Sequence, residues 1–510
     1  MTQILLPRPL RTAAEQSPLS ARPAALESCL LVRTMPPGSG VEHLTERLAD
    51  DLADSGVRTD VVQRENFLVD DPAERAMLAD SGADGIVMIV GPSTTILSVA
   101  VQTAAHLEIA GRPSVLVVPK ELSTQLEYEL DHAPVRVRAL VHTGGGAPAD
   151  AVIEALTSPA FPTDSRAASR GTTEEIAGTD DFDRLVAERH WSDGLPMVTP
   201  TASRVEAVLT GTSRDPDDVV ASYVPPVGEA FTVRDVAIVA TMAGAGPAQL
   251  PVILAAASAF GTPALDSMTR SVNSFGFAQF VSGPAAVAAG LNGGLAALSP
   301  GCEANATIGR ALGLIARVLG GARAGATVSP AQGTLAAWPF AFTENTEDSP
   351  WAPHHVDRGA SPEESYLTLY SGGQAHLGNF YYDDLDEIAR AMTSVDLFSG
   401  ALVLLTPKRA KELASRGMSR QDVIEHLQER ASIPLGRFRA SGFYPLRSSQ
   451  IRAGGPLVWP SDYLTDPDDR LVPAFPPGGI DVAVVGSPLS SLAQVWFMRP
   501  AGTVRIDDWR

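Results

Sequence analysis

The sequence predicts an α/β protein, with a doubly wound parallel sheet near the N-terminus and a larger mixed α/β region after it. Three observations carry this. Between Cys29 and Ala160, short apolar runs alternate with helix-spaced amphipathic segments, the pattern of a parallel sheet covered on both faces. The chain of 510 residues exceeds one compact core, so two or more domains are expected. A polar, small-residue stretch from Phe161 to Asp180 reads as a linker between them.

In chain order, residues 1–28 read as a loose, flexible arm with no long apolar core, a poor secretory signal. The 29–160 domain follows. "CLLVRTM", "VRTDVVQ", "GIVMIVG", "PSVLVVP" and "VRVRALVH" are its five strands. "GVEHLTERLADDLADSG", "PAERAMLADSG", Ile96–Ala110, "KELSTQLEYEL" and "APADAVIEALTS" are its helices. In such sheets ligands sit beyond the C-terminal strand ends. The 181–510 region shows helices at "DDFDRLVAERH", "SRVEAVLTG", "VRDVAIVATMAG" and "ANATIGRALGLIARVLGG". "GALVLLTPKRAKELASRGMSRQDVIEHLQER" reads strand, turn, helix, Gly stop, Ser cap, helix, and "IDVAVVG" is a last clear strand. "DGIVMIVGPSTTIL" and "IDVAVVGSPLSSL" share a strand-to-turn theme, so an internal duplication is one reading of them.

The net charge of −20 argues against nucleic acid and anionic membrane surfaces as partners. Cys29 and Cys302 are the two cysteines and form no CxxC, which points to a reducing, cytoplasmic compartment and away from thiolate zinc. Val236–Leu265 and Ser271–Cys302 run without a charge beyond the ~18 residues that invite a membrane reading. Gly, Pro, Asn and Gln interrupt both, so buried core is expected instead. No Walker A, G-x-G-x-x-G after a strand or H-E-x-x-H occurs, and no cofactor is expected.

Several constellations could carry chemistry. After the third strand, Ser93, Thr94 and Thr95 open a helix, where N–H groups and hydroxyls can hold an anionic part of a substrate. Helix capping and a serine nucleophile are the other readings. "FTENTEDSPWAPHHVDRG" crowds Glu344, Asn345, Trp351, His354 and His355 into a proline-containing loop. Glu344, His354 and His355 suit general acid–base work there, while Asn345 and Trp351 suit substrate binding. Metal ligation and a solvated structural loop are the alternatives. Cys302 stands near a helix start as a nucleophile or a buried thiol, with Asn305 and Arg310 placed to bind substrate. Asn273 is a polar residue in an apolar, aromatic segment and is also assigned to substrate. In "RHWSDGLPMVTPT", Asp193-Gly194 marks a turn.

The stretch "VGPSTTILSVAVQTAAHLEIAGRPSVLVV", Val90 to Val118, resembles the UGSC-motif selenoprotein-like family. In that family a strand ends in a Gly-Asp-Sec/Cys-Gly-Ser-Cys turn, followed by a helix and a strand with G-x-P-x-V-V. "HWSDGLPMVTPT", "ANATIGRALGLI", "FTENTEDSPWAPHHVDRG" and "TPKRAKELASRGMSRQDV" look like the uncharacterised bacterial region that accompanies it. The resemblance implies a fold and hints at sulfur or selenium metabolism. Ser93 stands where the family carries its selenocysteine or cysteine, and Ile96 at its second cysteine. A dithiol or selenol couple cannot operate with those residues.

Together these readings predict a cytoplasmic, cofactor-independent enzyme of lyase or hydrolase type acting on a small polar or anionic metabolite. Its composition resembles that of GC-rich bacterial proteins, which suggests specialised metabolism. A small-molecule substrate and a homo-oligomeric assembly are expected. A metal-dependent enzyme using the Glu/His loop, and a non-catalytic binding protein, are the alternatives.

Overall fold

A computed structural model of the chain describes residues 2–7, 20–35, 39–64, 71–144, 147–158, 173–226, 228–259, 269, 276–328, 333, 339–380, 384–394, 400–454 and 458–510. The architecture is α/β, in two sheets that dominate the chain.

The first sheet has five parallel strands in the order Arg58–Gln63, Ser28–Arg33, Gly85–Ile89, Ser114–Pro119 and Arg138–His142. Alternate residues along Gly85–Ile89 point to opposite faces, so Ile86 and Met88 enter one apolar cluster and Val87 and Ile89 another. Helices cover both faces of the three central strands, which is why those read as apolar runs, while the edge strands Arg58–Gln63 and Arg138–His142 are largely exposed or half-buried.

Parts of the 1–28 stretch are ordered rather than a loose arm. Thr2–Leu5 pairs antiparallel with Thr173–Ile176, at the end of the stretch read as linker, and Ile4 is buried in the core of the second region. Ser20 and Arg22 dock on the buried Glu108 carboxylate, Arg22 at 2.9 Å.

The second sheet runs Phe340–Thr343, Gly276–Ser282, Tyr366–Phe380, Ala493–Arg505, Ala401–Leu405, Ile480–Val484. Its halves share one connectivity: a strand, helical chain, a parallel partner, then an antiparallel strand. The two antiparallel strands pair at the centre. The edges curl back to meet, where the Asn345 N–H donates to the Val484 carbonyl at 2.9 Å. All six strands send side chains into one interior, among them Phe342, Phe280, Tyr370, Met498, Leu404 and Ala483. The sheet is thus a small barrel filled by side chains. Outside it, helices Val233–Ala243, Leu250–Ser258 and Glu303–Val318 pack on one half, and Leu385–Met392, Pro407–Ser415 and Arg420–Arg430 on the other.

This duplication of connectivity lies within the second region. The pair of segments suspected from sequence falls in different sheets, and the chain after Val484 enters the strand Ala493–Arg505 where the first segment enters a helix. No described helix is long and apolar enough to cross a membrane. The two regions touch where Gln102 Nε2 donates to Tyr223 Oη at 2.7 Å and Tyr128 Oη donates to the Gly321 carbonyl at 2.7 Å.

Candidate functional site

The helix Glu303–Val318 has two working faces. Ile308, Leu312 and Ile315 enter the core. Ala306, Arg310, Gly313 and Arg317 recur at helical spacing and line a cavity of about 780 Å³. The helix lies hard against the sheet because Gly309 has no side chain: a Cβ there would sit 2.3 Å from the Phe340 Cα. Phe277 and Phe340 from the sheet and Leu298 and Pro300 from the loop before the helix form apolar walls.

Cys302, Asn305 and Arg310, singled out from the sequence, meet in this cavity together with Asp193. Asn305 braces the loop before the helix. Its Oδ1 accepts from the Asn292 N–H at 2.9 Å, and its Nδ2 donates to the Asn292 and Ala297 carbonyls at 3.0 Å each. The Cys302 thiol donates to Asn305 Oδ1 at 3.1 Å, which keeps it a hydrogen-bond donor. Arg310 grips Asp193 with two bonds, Nε at 2.8 Å and Nη2 at 3.0 Å, and also reaches the Leu195 and Pro196 carbonyls. Burial works to raise the Asp193 carboxyl, but the Arg310 bonds outweigh it and hold it below its ordinary value.

Arg317 differs from its neighbour. It is partly buried and lines the cavity, yet its guanidinium makes no hydrogen bond or ion pair with any described residue. Burial holds it below its ordinary value, against the pull of Asp193, though a guanidinium stays charged. Sequence reading missed this residue. The signal was its spacing, seven residues after Arg310 on the same helical face.

The Glu/His segment goes elsewhere. Phe340–Thr343 is a strand and His354–Asp357 a single helical turn entered after Pro353, so the stretch is more ordered than the loop expected. Glu344, His354 and His355 are buried, and none of them lines the cavity. His354 Nε2 faces the Asp481 carboxylate oxygens at 3.0 and 3.1 Å. Tyr370 donates to the same carboxylate, and Arg358 lies 2.8 Å from it. Burial works against the Asp481 charge, but His354, Arg358 and Tyr370 hold its carboxyl well below the usual range. Glu344 accepts from the His354 N–H at 2.8 Å and from Arg420 at 2.5 Å. His355 Nδ1 lies 2.7 Å from Ser282 Oγ, and burial lowers the imidazole's pKa. The two imidazoles thus point at different partners, Asp481 and Ser282. Among the described residues no group of three or more His, Cys, Asp or Glu is arranged to hold a metal.

Asn345 closes the barrel, donating to the Gly486 carbonyl at 2.9 Å and bracing Asp348. Trp351 donates from Nε1 to the Met418 carbonyl at 3.0 Å, with Arg420 over its ring at 5.8 Å. Both therefore serve the barrel rather than the cavity wall. At the other end of the chain, Ser93 is the N-cap of Thr94–Ile109: its Oγ accepts from the Ile96 N–H at 3.5 Å. Its own N–H already donates to the Gly91 carbonyl at 2.7 Å. Thr94 and Thr95 are buried, and neither these nor Ser93 reach the cavity. Asn273 lies outside the described residues.

Compared with models of protein families, with curated proteins and with solved structures, the chain matches none.

Proposed function

We propose that the protein binds a small organic anion in the cavity beside Glu303–Val318. One observation carries this reading: Arg317 is a partly buried cation that makes no hydrogen bond or ion pair with any described residue, in the wall of a cavity of ligand size. An unpaired charge withdrawn from water costs free energy, and an anion in the cavity would recover it.

Turnover of that anion is the wider form of the proposal. Asp193 and Cys302 are the remaining ionisable groups on the described wall, and Arg310 and Asn305 already engage them. Binding is therefore the better supported part. Acid–base or metal chemistry through Glu344, His354 and His355 gains no support from their burial and their separate partners. The UGSC-like reading of the first domain belongs to the proposal too, supported by the order Gly85–Ile89, Thr94–Ile109, Ser114–Pro119.

Thermal unfolding of the full chain with a panel of organic anions tests the reading. A ligand at 100 times its Kd should add about 2.7 kcal/mol of apparent stability. Arg317→Met should abolish that gain while leaving the unliganded transition in place. The reading fails where no anion shifts the wild type, or where the variant is stabilised equally.

A further inference from the structure

We infer that the ligand carries one negative charge on an apolar body, an amphipathic monocarboxylate; this rests on the binding reading above. The charge count of the wall sets the first half. Among the described lining residues the charged groups are two cations, Arg310 and Arg317, and one anion, Asp193, a net formal charge of +1. Arg310 is neutralised in place by Asp193 at 2.8 Å, so one guanidinium remains to be matched. A second anionic group on the same ligand meets no further free cation among the described lining residues. It would face either the Asp193 carboxylate or hydrocarbon, and both disfavour it.

The walls set the second half. Phe277, Phe340, Leu298, Pro300 and Val328 offer surface that gains from contact with hydrocarbon and offers no hydrogen bonds. Leu195, 48% exposed, extends this apolar surface onto the Asp193 turn. Of the polar wall groups, Asn305 is committed to Asn292 and Ala297 and Arg310 to the 193–196 turn, which leaves the exposed Ser299 hydroxyl at the rim. A ligand rich in hydroxyls would leave its own groups unpaired there. Head recognition falls to Arg317 and tail recognition to the two phenylalanines.

Calorimetric titration of the full chain tests this with four probes: octanoate, the dianion octanedioate, the neutral octanamide, and acetate. Salt near ~0.15 M screens the chain's net charge of −20, which would otherwise penalise dianions everywhere. Octanoate should bind at least ~10-fold more tightly than each of the others, the scale of one charge-assisted bond. Arg317→Met should weaken octanoate by a similar factor and erase its advantage over octanamide. Arg317→Lys, which keeps a cation, should retain that advantage and guards against a mere folding defect. Octanedioate within ~3-fold of octanoate would overturn the single-charge assignment, and acetate equal to octanoate the apolar body. In both cases the anion reading survives. Silence from all three anions removes that reading and this inference with it.

Discussion

Replacing Asp481 with asparagine distinguishes a structural anchor from a catalytic acid by the sign of its effect. The carboxylate is buried inside the barrel and takes Tyr370 Oη, His354 Nε2 at 3.0 Å and Arg358 at 2.8 Å. An asparagine keeps one acceptor oxygen and turns an N–H₂ toward a donor. Arg358 is half exposed and contributes little, because water can replace its partner. The His354 and Tyr370 contacts are dry, and a buried donor that loses its acceptor costs about 1–3 kcal/mol, so disturbing both costs about 2–6 kcal/mol. That is a large part of the ~5–15 kcal/mol that holds a domain together. Urea unfolding followed by tryptophan fluorescence reads this, since Trp496 packs at the barrel against Phe340, with ring centroids 4.8 Å apart. Tyr370→Phe removes one donor and should cost about 1–2 kcal/mol. A wild-type or raised midpoint in Asp481→Asn would refute the anchor, because residues kept for chemistry tend to lower stability and their removal restores it. The pH dependence has a definite sign. Asp481 titrates below its unfolded value of ~3.9, so its contribution is complete above that pH. It is lost only as pH falls further, through the depressed folded value.

Four other outcomes follow. Arg310→Ala strands the Asp193 charge and frees its turn, and should lower stability by about 2–4 kcal/mol in denaturant titration. Because Asp193 is held below its ordinary value, the wild type's advantage over this variant should be complete above ~pH 4 and shrink below it. Arg317→Met removes a cation that bonds to no described residue, so the unliganded variant should be as stable as the wild type or up to ~1 kcal/mol more so in calorimetry. Alkylation with mass readout at neutral pH should label Cys302, which is partly exposed, and spare Cys29, whose thiol burial and Asp84 push up to about 12. Ser93→Ala should cost no more than ~1 kcal/mol of thermal stability, in line with a long cap bond at 3.5 Å.

The first sheet was readable because its central strands are short apolar runs and strands and helices alternate locally along the chain. Ser114–Pro119, for example, coincides with "PSVLVVP" to within a residue. The barrel was not. Tyr366–Phe380 includes Gly372, Gly373 and Gly378, and Ala493–Arg505 includes Pro500 and Gly502, which blur the alternation that marks a strand. Their pairing joins residues far apart in the chain, such as Tyr366 and Arg505. The Glu/His stretch drew attention for its density of ionisable groups. That density identifies groups that need partners and leaves the kind of partner open. Asp481, which satisfies His354, lies 127 residues further on in a strand that reads as plain hydrophobic sequence. Cys302, Asn305 and Arg310 come together in one cavity wall because their helical spacing is local.

The anchor and the cavity occupy opposite faces of the same strands, and this gives their separation a physical sense. Along Gly276–Ser282, Phe280 faces the barrel interior, where His354 meets it edge-on at 4.9 Å, while Phe277 faces the helix and lines the cavity. Along Phe340–Thr343, Phe342 lies inside and Ala341 belongs to the cavity side. Strand alternation makes this division, with Phe340 as the exception: it packs on the interior cluster beside Phe342 and also lines the cavity. A cavity wall of small and aromatic residues has few hydrogen bonds of its own to keep its shape. Behind it, the cluster around Asp481 and Glu344 ties the barrel strands to the Phe342–Gly359 crossing. On the proposed binding reading, a wall braced in this way would leave little ordering to oppose an apolar body.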